Sequence, residues 1–278
     1  MMKHRHSRID SGAVAKNIIA WLVTLVSLIP LLLVVFTSFK SGTDAKTLSF
    51  SLPETWDFTN FATVIEKGKL GEGFLNSLTY AGIGSVITIF FAAMAAYVFS
   101  RNRSRGNRFL YTFVVLGIVM PINYVSLMKV MQFLSLNDSR LGMIFLYTAI
   151  QMPFMVFLIY GFVGRLPTEL DEAAVIDGCN PLRLFFSIIF PLMKPILTTA
   201  VVLCFLNMWN EFVLPLYFLN DTAKWPMSLA VYNFFGRYSR EWNLICADVL
   251  LTSLPVVILY LLCQKQIVGG QTAGAVKG

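Results

Sequence analysis

The chain has 278 residues, 56% of them hydrophobic and only 13% charged, with a mean hydropathy of +0.69. Soluble domains carry about a quarter charged residues, so this composition excludes a soluble globular protein and points to the bilayer. The net charge of +7 suits Lys and Arg on the cytoplasmic side of membrane spans and calls for no nucleic acid. Cys179, Cys204, Cys246 and Cys263 have no paired spacing and read as small hydrophobes, neither a disulfide frame nor a metal site.

Residues 1–17 form a basic, polar N-terminus, with His4 and His6 as solvated charge. The first apolar run, Ile18 to Phe39, exceeds the ~20 residues needed to cross a bilayer, is anchored by Trp21 and contains Pro30. A polar stretch to about Lys69 reads as an external loop. The second span, Phe74 to Ser100, is rich in Gly and Ala, which permit close helix packing. Four arginines follow at 101, 103, 105 and 108, the clearest inside marker in the chain. Phe109 to Phe133 is the third span, broken at Pro121. Leu141 to Val163 is the fourth, carrying Tyr147, Gln151 and Pro153.

A half-charged segment, 165–195, interrupts the apolar pattern. Thr168 is placed to cap a helix and Asp171 stands at capping-box spacing, with Glu169, Asp171 and Glu172 loading the first turn with negative charge. Gly178 is placed to close that helix with a left-handed residue, and Asn180 to cap a second one that opens with Pro181. Ile196 to Leu219 is the fifth span and Asn243 to Cys263 the sixth, with Asp248 and Pro255 inside it. Residues 265–278 are a polar tail. The expectation is an all-α integral membrane protein, a permease domain over 18–264 with six transmembrane helices. Basic residues are more numerous and nearer to span ends on the side of the termini, which makes both termini cytoplasmic.

Glu172, Ala173 and Ala174, then Gly178, then Ile188 and Pro191, resemble the EAA motif of ABC-importer permeases, with Phe190 where that motif usually has Leu. The resemblance implies an ABC type I importer permease fold in which this segment is the coupling helix docking on the ATPase subunit, through Glu172, Ala173, Ala174, Asp177 and Gly178. Trp209 to Leu216 (WNEFVLPL), Asn76 to Leu78 and the terminal QTAGAVKG are similar to permeases of the maltose-transporter-type sugar importers. For the tail, that similarity implies that Gln271, Thr272, Gly274 and Lys277 contact the ATPase.

No phosphate-binding loop, HExxH or nucleophile elbow is present, so the sequence holds no catalytic constellation and no ATPase site. Charge inside hydrocarbon costs several kcal/mol unless it faces a cavity or a partner, which makes intramembrane polar groups the functional candidates. Asn207, Asn210, Glu211 and Leu214 fall at i, i+3, i+4 and i+7, one face of a continuous helix pointing into the bundle. Glu211 either bonds sugar hydroxyls or clamps a neighbouring helix. Asp248, Gln151, Tyr147, Asn123 and Tyr124 are further substrate-pathway candidates.

The resemblance implies the permease subunit of a bacterial inner-membrane importer for a sugar or oligosaccharide, binding no cofactor itself. ATP and Mg belong to the partner ATPase dimer. A second homologous permease, an extracytoplasmic solute-binding protein and the lipid membrane complete the partners. The same architecture importing a non-sugar solute, such as glycerol phosphate or an osmolyte, is the alternative. An ion-driven secondary transporter is a further one, and it would show two repeated halves that this sequence lacks.

Overall fold

The computed structural model describes the backbone of residues 11–235 and 240–275, and side chains within 16–235 and 240–264. It is helical almost throughout and resolves into two units. The first takes in the chain up to Gly68 with Val231–Leu251. The second comprises Lys69–Ala230 and the chain from Thr252.

In the first unit, α1 (Ser11–Ser38) begins within the stretch expected as the basic N-terminus and stays helical across Pro30. Its apolar side chains are exposed all round, Trp21 by 69%. A helix apolar on every face is a membrane span or is covered by another chain. At its end Lys40 is fully buried without a carboxylate; its ammonium donates to the Ser49 carbonyl (2.8 Å) and to the Ser49 and Ser51 hydroxyls (3.0 Å each), so its three donors are met. Asn60, on α2 (Thr59–Lys67), donates to the carbonyls of Ser38 and Lys40, and Asn243 donates to Asn60 Oδ1 at 2.8 Å. This knot fastens the end of α1 to α2 and to Asn243.

The second unit is built on α3 (Leu70–Arg101), which packs against α6 (Arg140–Val163) and α9 (Lys194–Trp209). The buried stripe of α3 is small: Ala81, Gly84, Ser85, Thr88, Ala92, Ala93 and Ala96. That smallness lets the helices approach. A Cβ on Gly84 would stand 3.0 Å from Met208 Sδ of α9. Between α3 and α6 lie α4 (Arg105–Leu116) and α5 (Tyr124–Phe133), separated by residues 117–123 around Pro121. Gly117 lets this break pack closely on α6, since a Cβ there would meet Pro153 Cγ at 2.9 Å.

After α6 come α7 (Glu169–Ile176), α8 (Pro181–Leu192, π-helical over Leu184–Ile189), α9, α10 (Val213–Phe218) and α11 (Met227–Ala230). α8 and α9 meet at 76°. Pro191 and Pro195 account for the bend, because each lacks an amide donor and clashes with the carbonyl four residues earlier. The last helix, α12 (Trp242–Ala275), begins in the first unit and continues eleven residues past Gln264, so the stretch expected as a tail is helical to Ala275.

By length and hydropathy, Lys16–Ser38, Leu70–Arg101, Arg140–Val163 and Trp242–Gln264 are long and apolar enough to cross a membrane, and the bent α8–α9 pair passes as one further span. The stretch expected as the third span falls on the interrupted α4–α5 pair, in which neither helix is long enough to pass that test.

Candidate functional site

The charged segment after α6 is fixed at its entry by α3 and at its exit by local chemistry. α7 opens with Glu169, Asp171 and Glu172 in its first turn, matching the positive end of the helix dipole. The expected capping box does not form: Thr168 makes no side-chain bond to the helix N-terminus. Asp171 turns to α3 instead, where Tyr97 Oη donates to it at 2.7 Å and the Arg101 guanidinium lies 2.9 Å away. A charge-assisted pair outweighs one local cap bond. Arg101 also donates to the Leu166 carbonyl at 3.2 Å, so the end of α3 holds the entry to α7.

The exit follows the local signals. Gly178 is left-handed (φ +76°), its N–H donates to Val175, and the Cys179 N–H donates to Ala174 at 2.9 Å. These two bonds form a Schellman closure. Asn180 then accepts from the Arg183 N–H at 2.7 Å, with Pro181 in the first helical turn. Ala174 is buried, while Glu172, Ala173, Asp177 and Gly178 are exposed, as are Val175 and Ile176, the latter by 85%. The motif thus exposes acidic and apolar side chains around most of the end of α7, with Ala174 turned inward. Ile188 is half-buried in the π-helical turn, whose Phe185 packs on Tyr97 at 5.4 Å.

The intramembrane polar set is arranged differently from the expected helix face. α9 ends at Trp209, and α10 starts only at Val213. Pro215 explains the gap, since its ring excludes a helical carbonyl at residue 211. The Glu211 carbonyl accepts from Ser228 Oγ instead (2.9 Å), and the Glu211 carboxylate accepts from the N–H groups of Val213 (2.8 Å) and Leu214 (3.1 Å). Glu211 therefore caps α10. Asn210 donates back to the Leu206 carbonyl, and both it and Asn207 are exposed. Asn123 caps α5 by accepting from the Ser126 N–H.

Tyr147 is buried, lies edge-on to Tyr80 at 6.5 Å, and is within electrostatic reach of Glu211. Its hydroxyl and the buried Trp209 Nε1 have no hydrogen-bond partner among the described residues. Buried polar groups left unpaired cost about 1–3 kcal/mol each, so the Tyr147 hydroxyl near the Glu211 carboxylate suits a hydroxylated ligand or water. Gln151 is half-buried on α6, one turn from Tyr147. Asp248 belongs to the first unit and is buried; its Oδ1, like the Thr37 hydroxyl and Asn243 Oδ1 there, has no hydrogen-bond partner among the described residues. The side chains of Gln271, Thr272 and Gly274, and Lys277 altogether, lie outside the described residues.

One set of working residues escapes sequence reasoning. At the opposite end of α3 from Arg101, Asn76 donates to the carbonyls of Ala223 (2.9 Å) and Trp225 (3.0 Å), Tyr80 Oη to Lys224, and Ser77 Oγ accepts from the Met227 N–H. Arg140 donates to Asn76 Oδ1 and Ala223; Lys224 donates to the Asp138 carbonyl and pairs with its carboxylate at 3.3 Å. Asp221 is held below the ordinary carboxylate range, chiefly by the Ala223 N–H. The polar residues at the start of the second span were the available signal. Their partners, about 145 positions away, were not.

A family model described as "Binding-protein-dependent transport system inner membrane component" matches residues 84–266. The chain is 32% identical to the "Probable starch degradation products transport system permease protein AmyC" of Thermoanaerobacterium thermosulfurigenes, over 95% of this chain and 98% of that one. It is also 32% identical to the "Melibiose/raffinose/stachyose import permease protein MelC" of Bacillus subtilis (strain 168), over 94% and 96%. Against the "Osmoprotective compounds uptake permease protein GgtD" of Synechocystis sp. it is 32% identical over 78% of this chain and 74% of that one. The fold is similar to a chain from the "Crystal structure of a bacterial ABC transporter involved in the import of the acidic polysaccharide alginate", with TM-score 0.78, 22% identity, and coverage of 95% and 99%.

Proposed function

The chain belongs to the binding-protein-dependent transport system inner membrane component family, and from that premise we propose that it is the permease subunit of an ATP-driven importer for a sugar or oligosaccharide. Its membrane-spanning part crosses six times, with the interrupted α4–α5 pair as the third crossing and both termini cytoplasmic. A second homologous permease, an ATPase dimer carrying ATP and Mg, and an extracytoplasmic solute-binding protein complete the assembly.

The observation that carries this reading is the exposed α7 face anchored to α3. Glu172, Ala173, Asp177 and Gly178 dock on the ATPase, with Ala174 packed behind them. Closure of the ATPase dimer on ATP displaces α7, and the Asp171 link to Tyr97 and Arg101 passes that displacement to α3, around which the second unit is built. Transport is alternating access, driven by differential binding of ATP to the two states. Gln271, Thr272, Gly274 and Lys277 reach the same ATPase. Asn207, Asn210, Glu211, Tyr147, Gln151, Asn123 and Asp248 border the substrate path, with Tyr147, Trp209 and Glu211 offering the groups that hydroxyls can use.

Uptake of labelled oligosaccharides by cells carrying and lacking this chain tests the substrate class. Accumulation of a sugar only when the chain is present supports it. Accumulation of an osmolyte, with no sugar taken up, favours the second reading, which the likeness to a permease named for osmoprotective compounds supports.

A further inference from the structure

The hairpin joining α3 to α4 is more than a run of positive charge. Asn107 is buried and its amide donates to the carbonyls of Val98, Phe99 and Asn102. Asn102 accepts from the Ser104 N–H at 3.0 Å, and Ser104 caps α4 by accepting from the Asn107 N–H. Every bond in this turn fixes backbone, so the arginines on it project from a rigid frame. Two of them, Arg103 and Arg108, line one polar recess of about 400 Å³ together with Arg101, Tyr111, Tyr160 and Thr168. Arg105, between them in sequence, does not line it.

The three guanidiniums differ in what they have left to give. Arg101 is committed to Asp171 and to the carbonyl of Leu166. Arg103 and Arg108 form no ion pair among the described residues. Tyr111 and Tyr160 stack at 4.1 Å on the recess wall. Two guanidiniums without an ion pair among the described residues, Arg103 on the fixed turn and Arg108 at the start of α4, beside the stacked tyrosines, are a receptor for a phosphate, which guanidinium binds through paired N–H groups.

The surroundings say what carries that phosphate. α4, which supplies Arg108 and Tyr111, also presents Phe109, Leu110 and Phe113 to the outside, 52–69% exposed. The recess lies at the Arg101 end of α3 and the Gly164 end of α6, two helices apolar enough to cross a membrane, which is where a bilayer presents its phosphates. The geometry points to the headgroup phosphate of an anionic phospholipid as the occupant. Arg101 belongs both to the recess and to the Asp171 pair, so the bound headgroup stands beside the tie between α3 and α7.

Native mass spectrometry of the full chain, purified with its partners and titrated with phosphatidylglycerol or phosphatidylcholine, tests this. Retention of phosphatidylglycerol over phosphatidylcholine is expected, with apparent affinity falling roughly fivefold in Arg108→Gln and in Arg103→Gln, and unchanged in Arg105→Gln. All three sites are exposed, so equal circular dichroism and melting across the set separates binding from folding. Equal losses in the three variants would reduce the recess to diffuse surface charge and overturn the proposal. So would equal retention of both lipids. Displacement of phosphatidylglycerol by an equal concentration of inorganic phosphate would assign the site to a soluble anion and overturn the lipid assignment.

Discussion

Asp171 of α7 and Arg101 of α3 are paired at 2.9 Å with each side chain only 16% exposed, and they are separated by seventy residues of chain. A local cap would have served α7 alone. This pair, with Tyr97 donating to the same carboxylate, makes the position of an exposed helix depend on the last two turns of the helix that organises the second unit.

The pair is sheltered enough to count, and its strength is measurable. Arg101→Gln and Asp171→Asn, combined in a double-mutant cycle on thermal stability in detergent, should give a coupling of about 1 kcal/mol. Substrate-stimulated ATP hydrolysis by the assembled complex should fall in both single variants. Coupling indistinguishable from zero would show that α7 is placed by something else.

Gly178 is limited by backbone conformation and not by space, since nothing lies within 4 Å of a Cβ placed there while φ is +76°. Substitutions should therefore rank by tolerance of the left-handed region, with Asn mildest, Ala intermediate and Val worst, the non-glycine cost being roughly 1–2 kcal/mol. Uptake should follow that order while membrane insertion stays constant. Equal uptake by the Asn and Val variants would contradict it.

At the opposite end of α3, Asn76→Ala would strip a partner from Arg140 and from the carbonyls of Ala223 and Trp225. A loss of about 1–3 kcal/mol is expected, read as a lower melting temperature and faster proteolysis within 219–227. Asn76→Asp keeps the acceptor for Arg140 but not the two donors, and should fall between the two. An alanine variant as stable as the parent would show that the clamp contributes nothing.

Glu211 has two separable duties. Glu211→Gln keeps an acceptor oxygen for the N–H groups of Val213 and Leu214, whereas Glu211→Ala removes the cap at a cost of about 1 kcal/mol. A glutamine variant that melts normally but takes up substrate with an altered KM would place the carboxylate on the path. Normal melting with normal uptake would leave Glu211 a cap and nothing more.

The contrast between these sites explains what could be read in the sequence. Gly178, Asn180 and Pro181 act on their own neighbours, and their spacing alone foretells the Schellman closure and the second cap. Asp171 also had a local reading, the capping box, but Tyr97 and Arg101 outbid it from seventy positions away. The helical spacing of Asn207, Asn210, Glu211 and Leu214 points to one continuous fifth helix. Pro215 forbids that helix at residue 211, and the sequence held this signal. The break after Leu116 was legible at Pro121, whereas the packing of Gly117 on Pro153 was not. Asn76, Arg140 and Lys224 look like ordinary polar residues at span ends until the fold brings them together.

The central claim is that the exposed helix ending at Gly178 is the handle by which an ATPase moves this permease. Purification of the tagged chain from its native membrane in mild detergent, with the co-purifying subunits identified and ATP hydrolysis assayed, tests it most directly. The account predicts that the wild-type chain brings down an ATPase subunit with measurable hydrolysis. It also predicts that Gly178→Val, the substitution least tolerant of the left-handed region, loses both while its helix content is unchanged. A Gly178→Val chain that retains the ATPase at full stoichiometry and full activity would contradict it.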